Sequence, residues 1–454
     1  MEETTLVDTA PERAASGKLL RILGVGFGLA VALGGTIGVG ILRNPGEVAA
    51  QLGSYWLIVL AWLLGGVYSL FSANYLAELA TMVPKAGGFY VYAERALGRY
   101  GGFVVGWSDW LNNTLALAYV SVVFGEYATE LFSPNLASGR IIFSVSVLLL
   151  MTGLNWLGLR AGSETQKITS ALKAIALLAF VVACFVFGGQ HTPASTATVE
   201  TAARPTGLLS TAAAFILAFQ MVLSTYDGWY SPIYFSEENT KPSQSLPRAL
   251  FGGIVVVAAI YLLVNLALLY VLPMGQLAGS KFAGGDAMSL IFGERSGQIL
   301  TIMALLSLCG IINATLLICP RTLFALGRDG LFTRRATAVN RGGTPVFALF
   351  ATAIIACILS YLGTFELLLA VGAFFILVVT ILSIISLFIL RRREPDTPRP
   401  FRTWGYPYAP VVMLILAVLL FFGYIMSNPY PSLYALAAIG ISYPIYRLVR
   451  HDGV

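Results

Sequence analysis

The stretch Gly34-Gly35-Thr36-Ile37-Gly38-Val39-Gly40 places four glycines within seven residues of an otherwise apolar run. Each glycine costs about 1 kcal/mol of helix propensity relative to alanine. In a segment long enough to cross a bilayer, such a cluster has two readings. Glycines let membrane helices approach closely, so the cluster can be a packing seam. Alternatively the helix unwinds here. Unwinding frees backbone N–H groups, and the half-helix that follows turns its positive end to the break, which makes a receptor for a carboxylate. Four glycines exceed what a seam needs, and an unwound stretch is expected.

Working outward, the chain has 454 residues, 57% of them apolar and 11% charged. A soluble domain carries roughly 25% charged residues. Apolar runs of about 20 residues, each able to cross the hydrocarbon core as a helix, are expected near 21–42, 55–81, 101–131, 140–158, 167–188, 210–235, 249–272, 298–326, 345–362, 366–390, 409–427 and 430–447. They lack the alternation of an outer-membrane barrel strand. The fold class expected is therefore all-α and polytopic, with 12 transmembrane helices. Between the second and third spans, 81–99 is amphipathic, carries Pro84, Gly87 and Gly88, and reads as a short re-entrant or surface helix. The connection from Pro273 to Gln298 is long enough to cap a vestibule on the other side.

Lys and Arg fix the expected orientation. With the N-terminus inside, 22 of them fall in cytoplasmic segments and five outside (Arg43, Arg140, Arg204, Lys281 and Arg295), which puts both termini in the cytoplasm. The same bias accounts for the net charge of +6 without a nucleic-acid partner. Met1 to Lys18 lacks the basic-then-apolar order of a cleaved signal, so the first span is expected to be retained. Cys184, Cys309, Cys319 and Cys357 sit in apolar runs as small core residues. With His191 and His451 the only histidines, metal or histidine catalysis has little to work with, and no enzyme, metal or cofactor is expected. No repeated filter or ring of pore charges marks a channel.

The sixth span holds a second anomaly, Ser224-Thr225-Tyr226-Asp227-Gly228-Trp229 followed by Pro232. An intramembrane aspartate is a functional-site candidate by default, or it caps a helix that restarts after a break. Either way the helix is broken at mid-depth. The two breaks open two sets of five spans that point in opposite directions, and discontinuous helices at matching positions of inverted repeats point to a transporter's midplane site. The candidate residues are Thr36, Ile37, Gly38, Val39 and Gly40 for a carboxylate, and Ser224, Tyr226, Asp227 and Gly228 for an ammonium group. Lys173 is the third anomaly: it either snorkels toward Lys167 and the cytoplasmic face or sits against carbonyls of the unwound first span. Asn112, Asn113 and Asn313 are expected to be structural.

At these residues the chain resembles the amino acid–polyamine–organocation superfamily, nearest to its L-type amino acid transporter branch and bacterial relatives. Gly38-Val39-Gly40-Ile41-Leu42 stands at the carboxylate loop, Tyr75 to Leu79 with Pro84 to Gly88 and Tyr90 at the second-helix signature, and Tyr226 to Trp229 with Glu237-Glu238 at the sixth. Pro320-Arg321 with Arg328-Asp329-Gly330, and Arg399 to Arg402 with Gly405-Tyr406-Pro407, match two cytoplasmic signatures. The resemblance implies a five-plus-five inverted repeat (LeuT-like) with two added C-terminal helices, divided as 1–20 (cytoplasmic segment), 21–200, 201–391 and 392–454. It implies secondary, sodium-independent amino acid transport by alternating access in a bacterial inner membrane, as exchange or with protons, Lys173 replacing a coupling sodium. Neutral L-amino acids are the first expectation; cationic amino acids or polyamines are the second, and a non-transporting sensor of the same fold is an alternative of another class. Val39 replaces a hydroxyl residue, so a contact there runs through its amide, and Ser224 replaces a gating aromatic. Residues 132–139 lack the cysteine that joins a heavy chain in animal relatives, so no such partner is implied.

Overall fold

The computed structural model describes residues 19–191, 207–293 and 295–451. The expectations for Met1 to Lys18, Arg204 and the boundary near 200 fall outside them. In lipid every backbone polar group must be satisfied within the segment, which leaves helices as the spanning elements here. Among the described residues there are fifteen: α1 (Val25–Thr36), α2 (Gly40–Leu52), α3 (Tyr55–Met82), α4 (Phe89–Phe132), α5 (Gly139–Trp156), α6 (Leu159–Phe187), α7 (Leu208–Tyr226), α8 (Pro242–Val271), α9 (Met274–Gly279), α10 (Ala283–Phe292), α11 (Arg295–Arg328), α12 (Val346–Leu362), α13 (Phe365–Arg393), α14 (Tyr408–Ser427) and α15 (Pro429–His451). Ten segments are long and apolar enough to cross a membrane; α1 and α2, bent by 45°, make another as one broken span, and α12 is a shorter apolar helix of 17 residues. Each expected span thus lies on an apolar helix. The chain is an all-α polytopic membrane protein.

Three departures from expectation bear on the two breaks, each for a local reason. The first span does not end at 42 but runs to Leu52, where Gly53, in the left-handed region at φ 55°, ends the helix. The unwound part of that span is only Ile37-Gly38-Val39; Gly34 and Gly35 are helical. They answer the packing reading instead. A Cβ on Gly34 would collide with the Gln166 and Ser170 side chains, and one on Gly35 would stand 2.9 Å from Ser231 Oγ. In the sixth span, Ser224 and Tyr226 remain helical and the break falls on 227–230, after which Ser231–Phe235 forms a 3-10 turn.

The amphipathic segment ahead of the third span forms the first turns of α4, with a non-helical residue at Gly98 (φ 81°) separating it from the span proper. Gly88 (φ 59°) precedes it, and a Cβ there would overlap the Tyr234 ring. The long connection after α8 folds as α9 and α10, which pack on α2. α1 lies between α6 and α8, α2 lies against α7, and α4 packs along α11 and α13. The two breaks therefore meet inside the bundle.

Candidate substrate site

At the first break α1 stops because Ile37 leaves the helical region (φ −72°, ψ 104°). The carbonyls it would have used inside a continuous helix are taken by side chains from three other helices. Lys173 Nζ donates to Gly34 O and Ile37 O, both at 2.9 Å. Ser307 Oγ donates to Ile37 O at 3.1 Å. The Tyr261 hydroxyl lies 2.8 Å from Thr36 O and 3.1 Å from Thr225 O, and so ties together the ends of both interrupted helices. Lys173 is 5% exposed. Of its two readings, the structure selects the carbonyl cradle over snorkelling.

Lys173 is the last rung of a ladder. Gln166 and Ser170, two turns and one turn earlier on the same face of α6, both reach Ala30 O, at 3.5 and 2.7 Å. Gln166 Oε1 in turn accepts from Asn313 Nδ2 at 2.8 Å, and Asn313 Oδ1 accepts from Asn155. Asn313 is structural, as expected: it joins α5, α6 and α11.

Across the gap, Asp227 is extended (φ −61°, ψ 150°) and Gly228 is left-handed at φ 101°. Gly228 is demanded twice, because a Cβ on it would sit 2.6 Å from Gly35 O and 2.7 Å from Gly35 C, both backbone atoms. The breaks thus touch backbone to backbone. Asn44 of α2 donates to Thr225 Oγ1 at 2.7 Å and fastens the second half of one span to the first half of the other.

The candidate residues separate into two groups. Thr36 ends α1, its hydroxyl bonded back to Ala32 O; Ile37, Gly38 and Val39 are the break; Gly40 opens α2. The first amides of any helix lack intrahelical acceptors, so those at the start of α2 are the donors available to a carboxylate. Val39 buries its side chain in the apolar cluster that also holds Leu117 and Ile312, leaving only its backbone for such a contact. On the sixth span Asp227 and Gly228 are at the break. Tyr226 is not: its ring packs on Trp62 and Tyr261 and its hydroxyl donates to Trp62 O at 3.0 Å. Ser224 is exposed, bonded to Met221 O of its own helix. Beside the first break, a cavity of about 20 Å³ lined by Ile37, Gly38, Val39, Lys173, Met303 and Ser307 has room for about one water. A larger one, about 520 Å³, opens away from the breaks at the starts of α1 and α6.

At the basic end of the bundle, the chain leaving the sixth span closes the structure. Glu238 forms a fully buried pair with Arg321, Oε2 to Nε at 2.5 Å and Oε1 to Nη2 at 2.8 Å, and the guanidinium lies 4.4 Å over the Phe235 ring. Burial pushes the Glu238 carboxyl up from its ordinary range, against the pull of Arg321. Glu237 accepts from the Ala86 amide and from Arg328, and Leu23 N donates to Glu238 O.

Sequence reasoning missed Asp109, which is 0% exposed in α4 and accepts a 2.6 Å hydrogen bond from Tyr234 of the sixth span. An acid inside an apolar run was the available signal. Nothing in the sequence marked Tyr261 or Ser307. Among the described residues no group of three or more His, Cys, Asp or Glu is placed to hold a metal, and the four cysteines are free.

Residues 27–443 match the amino acid permease family. The chain is 29% identical over 401 residues to the serine/threonine exchanger SteT of Bacillus subtilis (strain 168), covering 87% of this chain and 89% of that protein. It is 26% identical to the b(0,+)-type amino acid transporter 1 of Mus musculus (94% of this chain, 89% of that protein) and 28% identical to the Asc-type amino acid transporter 1 of Mus musculus (92% and 79%). These relatives are transporters rather than enzymes. The chain belongs to the amino acid permease family of the amino acid–polyamine–organocation superfamily, related to its L-type branch, and is a multi-pass membrane transporter of amino acids.

Proposed function

We propose that this protein is a sodium-independent permease or exchanger of neutral L-amino acids that works by alternating access. The substrate carboxylate lies on the amides at the start of α2, around Gly38, Val39 and Gly40. Its ammonium faces the break at Asp227 and Gly228, and Thr36 and Ile37 border the site on the side of α1, whereas Ser224 and Tyr226 point away from it. The observation that carries this reading is Lys173 Nζ held between Gly34 O and Ile37 O. A fixed ammonium already occupies the carbonyls that a coupling sodium would need, which favours exchange or proton coupling. The two repeats are 21–200 and 201–391, followed by 392–454, in an inner cell membrane with both termini, including 1–20, in the cytoplasm. No cysteine between 132 and 139 offers a thiol to a heavy chain.

The test is thermal-shift stabilisation of the purified protein across the twenty amino acids and common polyamines. A ligand that binds only the folded state stabilises by RT ln(1 + [L]/Kd). Ligands that stabilise are then exchanged across sealed liposomes with and without sodium. Stabilisation by neutral amino acids with sodium-independent exchange is the expected result; binding without exchange identifies a sensor. Asp227 favours one second reading, a cationic amino acid or polyamine substrate, because it lacks an ion-pair partner among the described residues. Asp227→Asn abolishes binding of cationic substrates in that case and spares neutral ones.

A further inference from the structure

Asp109 lies fully buried in the third span and takes part in no ion pair among the described residues. A carboxylate at that depth is costly unless its environment answers it. Here neutral donors from three helices do so. Tyr234 OH donates to Oδ1 at 2.6 Å, Asn113 Nδ2 to the same oxygen at 3.2 Å, and Thr322 Oγ1 approaches Oδ2 at 3.4 Å. Tyr234 is the informative partner, because it stands just past the break in the sixth span. Its ring lies against Gly88, where any Cβ would overlap it, and 6.3 Å from the Phe89 ring. Four residues back, Tyr230 packs on Phe89 at 5.2 Å and on Tyr234 at 6.4 Å, and its hydroxyl donates to Asp227 Oδ2 at 3.4 Å. The chain of contacts therefore runs from an acid of the third span, through two tyrosines packed on the re-entrant segment, to the acid at the break.

We propose that Asp109 is a positioning residue for substrate selection: by fixing Tyr234 and, through it, Tyr230, it sets where the Asp227 carboxylate stands relative to the substrate side chain. The proposal rests on the reading of the two breaks as the substrate site. Asp109 touches no substrate itself; selectivity at the break is set partly from the third span. A buried acid serving only to pack α4 against α11 would have no reason to reach across to the broken span through a short hydrogen bond.

The experiment measures Kd for L-serine, L-leucine and L-lysine on the purified full-length protein, together with the melting temperature without ligand. The quantity read is the ratio of lysine to serine affinity. Asp109→Ala and Tyr234→Phe are each expected to move that ratio about tenfold, the scale of one hydrogen bond to a charged group. The double variant is expected to move it no further. Asp109→Asn keeps an oxygen for the Tyr234 hydroxyl and is expected to stay within about threefold of the parent. Ser383→Ala, which removes a buried hydroxyl bonded only within α13, serves as the control for stability alone. Should Asp109→Ala fail to fold, Tyr234→Phe and Asp109→Asn carry the test. Unchanged ratios in Asp109→Ala or Tyr234→Phe, with a lowered melting temperature, overturn the proposal and leave Asp109 a packing residue. Effects that multiply in the double variant overturn it as well. A parent protein that binds none of the three ligands overturns the substrate-site reading itself, and this proposal with it.

Discussion

Replacing Gly228 by alanine tests the contact between the two breaks most directly. The residue stands at φ 101°, a conformation that L side chains rarely adopt, and its new Cβ would lie 2.6 Å from Gly35 O and 3.2 Å from Thr36 N. These neighbours are backbone, so no rotamer relieves them. Strain at such a position costs about 1–3 kcal/mol. Relief requires the two broken spans to part, which stretches the Tyr261 tether to Thr36 O and Thr225 O, worth about 1 kcal/mol net. The sum is about 2–4 kcal/mol, which weakens binding roughly 30- to 1,000-fold if it falls on the substrate-ready arrangement. Gly35→Ala is the matched control. Gly35 is helical; its added Cβ meets first the Ser231 hydroxyl at 2.9 Å, which can rotate away by giving up its bond to Gly228 O, and then Gly228 O at 3.2 Å, a milder backbone contact than the 2.6 Å met at Gly228. Alanine there also gains up to about 1 kcal/mol of helix propensity. Gly26→Ala, with nothing within 4 Å of its Cβ, is the blank. The assay is Kd and melting temperature for the amino acid that best stabilises the parent protein. Parent-like affinity in Gly228→Ala, or a larger loss in Gly35→Ala, refutes the argument that the breaks are held backbone to backbone.

Lys173→Met removes the donor from Gly34 O while Ser307 still serves Ile37 O, so one buried carbonyl is orphaned at a cost of about 1–3 kcal/mol; liposome exchange should be lost and should not return on adding sodium. Glu238→Gln leaves the Arg321 guanidinium buried without its counter-charge, which costs about 3–5 kcal/mol, whereas the double change with Arg321→Met should recover much of that in a denaturation cycle. Outside the spans, hydrogen bonding to Arg95 holds the Glu394 carboxyl below its ordinary value of 4.5. Its contribution to docking the 394–407 segment is therefore complete above about pH 4.5 and lost as pH falls through the lowered value. Protease sensitivity of that segment should rise in acid, and Glu394→Gln should reduce this pH dependence, leaving the part carried by Glu78, which holds Thr403 N and Arg399.

The fold class was legible because it depends on a quantity that the sequence states outright. Apolar runs long enough to cross a bilayer can do nothing else with their backbone, and each expected span coincides with an apolar helix. The existence of two breaks was legible for a related reason: glycine clusters and an aspartate are unfavourable in a lipid-buried helix, so their presence needed an explanation. Their extent was not. Gly34 and Gly35 look like part of the unwound stretch, yet whether a glycine unwinds a helix or admits a neighbour depends on what stands opposite, here Gln166, Ser170 and Ser231.

Side-chain direction marks the same limit. Tyr226 and Asp227 are adjacent in sequence, but one turns into α3 and the other stays at the break, because the helix ends between them. Lys173 could not be assigned from its position, since snorkelling and a carbonyl cradle differ only in which way the stem points. The acid Asp109 was visible in the sequence, but its meaning was not, because Tyr234, its partner, lies 125 residues further on. Sequence by itself thus determined that this chain spans the membrane, where its helices run and where two of them fail. Only the tertiary structure decided which freed carbonyls meet a lysine, a serine or a tyrosine, because those pairings are made between helices distant in the chain and depend on how the helices are rotated against one another.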